Sequence, residues 1–280
     1  MAHRMLHYHE QLEQEIEHRT EDVNRDLKLA REFQQTFLPH RYPVIPTPGV
    51  SHGVSLRFHH VYRPAQSVGG DFFDVIKLSD YTAGVFIADV MGHGVRSALI
   101  TAVLRTLVQD LARTASSPAA LLETLNKRFC ALLPRGEELI FVTACYLVVD
   151  TAAREAVCAC AGHPSPLLVR RERGQCAAVL DQRASGSALG IYSDVHHEAR
   201  ACKLASGDAV LLFTDGVLEA PNISGDVFGW GRLKAVVEQN QGHQGAADLT
   251  DAVIEQLHAF MDTVVAPDDI CLVSVEMSED

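Results

Sequence analysis

The sequence has no surplus of basic charge. Its 24 Lys and Arg stand against 36 Asp and Glu, a formal net charge of -12 over 280 residues. It therefore offers no basic footprint for a nucleic-acid backbone or an anionic membrane surface. It has no C-x-x-C pair: the seven Cys (Cys130, Cys145, Cys158, Cys160, Cys176, Cys202 and Cys271) form an odd set, most of them inside apolar runs. There Cys behaves as a small hydrophobe, and the expected compartment is the reducing cytoplasm. No apolar run approaches the roughly 20 residues that span a bilayer. Met1 to Gln14 is charged and His-rich where a signal peptide has an apolar core, so no membrane insertion is expected. No G-x-x-x-x-G-K stretch supplies a P-loop, and no internal repeat is found. What is present is an ordinary globular composition, 47% hydrophobic and 21% charged with 11 Pro and 19 Gly, which excludes disorder and low complexity.

From Arg4 to Leu38 there is neither Gly nor Pro, and apolar or small residues recur seven apart at Ile16, Val23, Ala30 and Phe37, with Leu12, Leu27 and Phe33 beside them. This is a helical stripe. Arg19 and Asp26 interrupt it as a coiled-coil seam, so both a linker or dimerising helix and a helix packed on its own domain fit the pattern. Pro39, Pro43, Pro46, Pro48 and Gly49 cannot continue a helix. The expected organisation is an N-terminal regulatory or linker helix at 1–38, a Pro-rich hinge at 39–53 and one domain at 54–280.

Beyond the hinge, Val54, Leu56 and Phe58 alternate with polar residues, and Val85 to Val90, Phe141 to Val149, Ala209 to Phe213 and Cys271 to Val275 are apolar runs of strand length. Helical stretches are expected at about Val95 to Ala112, Pro118 to Leu132, Gly231 to Gln239 and Ala247 to Thr263. Strands grouped between helical pairs predict an α+β fold of antiparallel sheets covered by helices.

Four acidic corners stand out at strand ends. They are Ser67-Val68-Gly69-Gly70-Asp71-Phe72-Phe73-Asp74, Ala88-Asp89-Val90-Met91-Gly92-His93-Gly94, Phe213-Thr214-Asp215-Gly216 and Pro267-Asp268-Asp269-Ile270. One Asp-Gly after a strand is ordinarily a turn. Four of them suggest carboxylates converging at one edge, where repulsion is costly unless cations intervene. The candidate ligands are all oxygen donors, with no His or Cys at ligand spacing, so the expected ions are hard ones, Mg2+ or Mn2+. A pair of such ions activates a water and clamps the oxygens of an in-line attack on phosphorus.

These motifs carry a resemblance. Gln34-Gln35 with Leu38-Pro39, Tyr62-Arg63-Pro64-Ala65 and the four corners are similar to the bacterial PPM-type (protein phosphatase 2C-like) serine/threonine phosphatases of the SpoIIE and RsbU branch. So, in family order, are Ser97-Ala98-Leu99, Phe141-Val142-Thr143-Ala144, Ala161-Gly162-His163-Pro164, Ala188-Leu189-Gly190-Ile191, Gly207-Asp208, Val217-Leu218-Glu219-Ala220 and Phe228-Gly229. The resemblance covers about residues 34 to 277. It implies a sandwich of two antiparallel sheets flanked by helices, two Mn2+ or Mg2+ ions, and dephosphorylation of phosphoserine or phosphothreonine on a regulatory protein such as an anti-anti-sigma-type partner. By motif, Asp89 is the carboxylate bridging both ions, with the Val90 carbonyl beside it. Asp71 holds one ion through a neighbouring position, Asp215 and Asp268 complete the other, and Asp269 is the alternative to Asp268. The nucleophile implied is the water between the ions.

The sequence also departs from the family. Cys271 stands where Thr is common, at a position expected to face the core. Glu219 and His163 read as scaffold, His93 as a structural or exposed turn residue, and Arg63, beside Pro, as surface rather than a phosphate ligand. A competing reading is a non-catalytic phosphatase-fold binding module, which loss of the acids would signal; none is lost. A histidine-kinase-like ATP site would need D-x-G-x-G, whereas Asp89 to Gly94 has D-x-x-G-x-G. The expected partners are a phosphorylated protein, a second copy through the N-terminal helix, and an upstream sensor or receiver.

Overall fold

The computed structural model describes residues 2–50, 53–92, 94–115, 117–132, 139–181, 185–240 and 245–279. Ten strands form two five-stranded antiparallel sheets. In the first, β1 (Val54–Arg63) pairs with β10 (Ile270–Glu279), followed by β9 (Ala209–Phe213), β6 (Leu167–Arg170) and β7 (Gln175–Ala178). In the second, β2 (Asp71–Lys77), β3 (Thr82–Val90), β4 (Val142–Asp150), β5 (Glu155–Ala161) and β8 (Ala199–Lys203) lie side by side. Helices α2 (Val95–Ala112) and α3 (Pro118–Leu132) cover the second sheet, while α5 (Gly229–Gln239) and α6 (Ala246–Met261) cover the first. The short α4 (Asp215–Glu219) leads out of β9. The expected α+β sandwich flanked by helices is the one found.

Strand pleating sorts the side chains into three cores. Phe73, Val85, Ile87, Val210, Leu212, Val273 and Val275 meet between the sheets. Their neighbours Phe72, Phe86 and Ala88 turn outward onto Leu104, Val108, Leu121 and Leu125 of α2 and α3. On the other side Leu211, Phe213 and Leu272 pack against Leu233, Val237, Val253 and Leu257. The central strands are thus buried on both faces, which is why they read as continuous apolar runs rather than alternating ones. Each such Val, Leu or Phe contributes roughly 1.5 to 3 kcal/mol by leaving water. Cys271 is fully buried in the inter-sheet core, as a small hydrophobe there should be.

The N-terminal helix, α1, runs from Ala2 to Gln35. Its end tightens into a turn in which the amides of Thr36, Phe37 and Leu38 reach the carbonyls of Phe33, Gln34 and Gln35, ahead of Pro39, which cannot continue it. Leu27 and Ala30 are half-buried, while Ile16, Leu29 and Phe33 are exposed at 63%, 58% and 63%. The Pro-rich stretch packs along the sandwich: Ile45 is fully buried, its carbonyl accepts from the Leu56 amide at 2.8 Å, and the Thr47 amide donates to the Asp80 carbonyl at 2.8 Å. Among the described residues, no helix is long and apolar enough to cross a membrane.

Candidate metal centre

All four acidic corners meet at one end of the sandwich. Asp71 opens β2 and lies directly opposite Asp89 near the end of β3, so ladder pairing alone places two carboxylates together. The turn ahead of Asp71 must approach the second corner closely. A Cβ on Gly70 would lie 2.6 Å from the Val90 carbonyl oxygen and 3.3 Å from Asp89 Oδ1, a space only glycine leaves open. From the facing sheet, Thr214 donates its hydroxyl to Asp71 Oδ2 at 2.7 Å, and the Cys271 amide donates to the same Thr214 oxygen at 3.1 Å. Gly216 comes so near the last corner that a Cβ there would sit 1.9 Å from the Asp269 carbonyl oxygen.

The two neighbouring acids of the fourth corner do different things. Asp269 is buried, and both its oxygens accept backbone N–H groups of the first corner. Oδ1 takes the Ala65 amide at 2.7 Å, and Oδ2 takes Gly70 at 2.6 Å and Asp71 at 3.2 Å. Asp268 is exposed, and its Oδ1 accepts the Asp269 amide at 2.8 Å. Asp269 thereby ties the end of one sheet to the mouth of the other, while Asp268 faces outward.

The electrostatics are those of crowded anions. Burial first, then Asp89 and Asp269, hold the Asp71 carboxyl well above its ordinary range, and the Thr214 hydroxyl opposes this. Asp89 is pushed up to about 7 by burial, Asp215, Asp268, Asp269 and Glu219. Asp215 is raised by burial, Asp268 and Glu219, against the stabilising amides of Asp215 itself and Gly216 at the start of α4. Buried acids elsewhere are each given an Arg: Asp74 has Arg105 at 3.8 Å, Asp208 has Arg170 at 2.5 Å and Glu276 has Arg171 at 3.2 Å. Among the described residues, none of Asp71, Asp89, Asp215, Asp268 and Asp269 has a Lys or Arg partner of this kind. No three acidic, His or Cys side chains among the described residues stand as a ready-made cage. The donor set is nevertheless all oxygen and its repulsion is uncompensated, which fits hard divalent cations.

His163 is fixed one strand away from Asp89. Its Nδ1 is 2.9 Å from the hydroxyl of Thr143, the residue opposite Asp89 in β4. Burial lowers its pKa to about 3, with the Phe213 carbonyl opposing, so it is a neutral spacer at physiological pH. Arg63 turns its guanidinium to His258 on α6 rather than to the acids, and after burial its charge lowers the His258 pKa. Asp74, the second acid of the first corner, turns to Gln109 and Arg105 of α2. His93 lies outside the described residues. Sequence reasoning missed the charge that the exposed Glu219 adds beside Asp89 and Asp215. It missed Thr214 as well, whose only signal is its place beside Asp215. It also paired Gln34 with no function, yet this buried side chain clasps the first corner: Nε2 donates to the Gly69 carbonyl at 2.7 Å, and the Gly69 amide donates to Oε1 at 3.1 Å.

Solved structures place the fold. The chain is similar to the SiaA-PP2C domain of Pseudomonas aeruginosa, with a TM-score of 0.75 at 22% identity over 92% of this chain and 97% of that one. It is also similar to the catalytic domain of the serine threonine protein phosphatase PstP in complex with two manganese ions, with a TM-score of 0.58 at 15% identity over 81% of this chain and 100% of that one. The fold is therefore the PP2C fold. A family model described as Stage II sporulation protein E (SpoIIE) matches residues 79–278, and the chain belongs to that family. The matched span contains Asp89, Asp215, Asp268 and Asp269; Asp71 precedes it. The phosphoserine phosphatase RsbP of Bacillus subtilis (strain 168) is 26% identical over 257 residues, which cover 91% of this chain but only 59% of that protein.

Proposed function

We propose that this chain is a metal-dependent protein serine/threonine phosphatase that hydrolyses phosphoserine or phosphothreonine on a regulatory protein. The observation that carries this reading is the set of five carboxylates gathered at one end of a PP2C fold, with no Lys or Arg ion-pair partner among the described residues. Asp71, Asp89, Asp215 and Asp268, with the Val90 carbonyl, are the residues that would hold two Mn2+ or Mg2+ ions. Asp268 is preferred over Asp269 because the Asp269 oxygens are already taken by three amides. Bound there, such ions would lower the pKa of a bound water and neutralise charge on the phosphate oxygens. The chain's own contribution is to preorganise the acids: strand pairing sets Asp71 against Asp89, the start of α4 orients Asp215, and Asp269 locks the Gly-Gly turn. The name of RsbP supports phosphoserine as the substrate. Hydrolysis of phosphoserine and phosphotyrosine peptides of the same sequence, with Mn2+ or with a chelator, tests it. Turnover of the phosphoserine peptide only with metal is expected; metal-independent turnover would defeat it.

We also infer that α1, spanning most of residues 1–38 ahead of the Pro-rich segment 39–53 and the domain 54–280, is a regulatory element. It would relay a second copy of the chain or an upstream sensor to the centre. The Gln34 clasp on Gly69, two residues from Asp71, supports this, as does Arg105 of α2, which lies over the Phe37 ring at 5.4 Å and beside Asp74. Unchanged oligomeric state and activity after deletion of residues 1–38 would overturn it.

A further inference from the structure

Thr214 is fully buried at the end of β9, and its backbone is fixed by its amide, which donates to the Cys271 carbonyl at 3.0 Å. Its hydroxyl has a defined direction. The Cys271 amide occupies a lone pair of the oxygen at 3.1 Å, and the single hydroxyl hydrogen goes to Asp71 Oδ2 at 2.7 Å. Among the described residues no hydrogen bond reaches Asp71 Oδ1. One oxygen of this carboxylate is thus held by a group on the opposite sheet, and the other is left for a ligand.

We propose that Thr214 is a positioning residue for the metal centre, its hydroxyl fixing Asp71 Oδ2 so that Oδ1 is presented to a cation. The proposal rests on the reading of Asp71 and Asp89 as metal-holding residues. It adds that the contact spans the two sheets: Asp71 opens β2, while Thr214 directly follows β9 and is bonded to Cys271 of β10, so the relative placement of the sheets is transmitted to one carboxylate. Groups that orient a metal ligand through a hydrogen bond carry weight of their own, their loss commonly costing about 10- to 100-fold in metal affinity. A merely structural threonine would behave differently. Its replacement would lower thermal stability, through the unsatisfied Cys271 amide, and leave metal affinity where it was.

The test is Mn2+ binding to the full chain by isothermal titration calorimetry, with the thermal midpoint measured on each variant. Thr214→Val keeps the volume and removes the hydroxyl, Thr214→Ala removes it with a small cavity in case Val does not fold, and Thr214→Ser keeps it. Val and Ala are expected to weaken Mn2+ binding about 10- to 100-fold, while Ser stays within about threefold of wild type, a change of less than 1 kcal/mol. Wild-type affinity in Val or Ala, or a Ser variant as weak as they are, would overturn the proposal. Wild-type protein that binds no Mn2+, or binding untouched by Asp89→Asn, would defeat the reading of the centre itself, and the role of Thr214 with it.

Discussion

Asp89 shows how position turns an ordinary residue into a chemical one. Its folded-state pKa of about 7 lies above the ordinary 3.8, and burial and four neighbouring acids are the cause. A raised carboxyl stabilises the fold below its unfolded pKa and loses that contribution as pH rises through the folded value. Buried His163, its pKa lowered to about 3, contributes the opposite slope over the same range, so the Asp89 contribution is read as a difference: metal-free Asp89→Asn should gain stability relative to wild type as pH rises from about 4 to 7. A calorimetric series on both proteins across this range checks it, and a difference that does not change with pH would contradict the crowding of the acids around Asp89. The paired acids of the fourth corner give a second prediction. Asp269→Ala leaves three amides without their acceptor while relieving some repulsion, so a net loss of roughly 2 kcal/mol is expected. Asp268→Ala should cost little stability and most of the activity. Denaturant unfolding together with phosphopeptide hydrolysis separates the two. The sequence pattern Pro-Asp-Asp-Ile could not, because which acid faces inward depends on the register of β10 against β1 and β9.

At the scale of elements, the double-sided strands and the amphipathic helices were legible because burial writes itself as composition. The expected helices over Val95 to Ala112 and Pro118 to Leu132 coincide with α2 and α3, and Ala209 to Phe213 coincides with β9. The strands β5, β7 and β8 carried no such signal. They are built of Ala, Cys and charged residues, as in Gln175-Cys176-Ala177-Ala178 and Ala199-Arg200-Ala201-Cys202-Lys203, and the outer two are exposed for much of their length. Their pairing is supplied by neighbouring strands rather than by β propensity. The end of α1 likewise declared its helix but not its contact. Gln34→Ala removes both hydrogen bonds to Gly69, and should raise the Mn2+ concentration needed for half-maximal activity severalfold, by analogy with other groups that orient a metal site, with little change in melting. An unchanged metal requirement would uncouple α1 from the centre.

For the molecule as a whole, the surplus of acids has two origins. Most of the 36 acidic residues are ordinary surface or have basic partners, as Glu15 has Arg19 and Asp110 has Arg128. Five are collected where two sheets and the start of α4 meet. Composition could not separate these populations; their placement beside Gly at strand ends pointed to them, and strand pairing joined them. The decisive comparison is the Mn2+ dependence of phosphoserine-peptide hydrolysis in wild type, Asp89→Asn and Asp215→Asn. Wild-type turnover should rise from background to saturation with Mn2+, and each variant should stay at least about 100-fold lower at any metal concentration, the loss of about 2.7 kcal/mol of transition-state stabilisation. Full activity in both variants, or turnover that ignores the metal, would contradict a metal centre built from these acids.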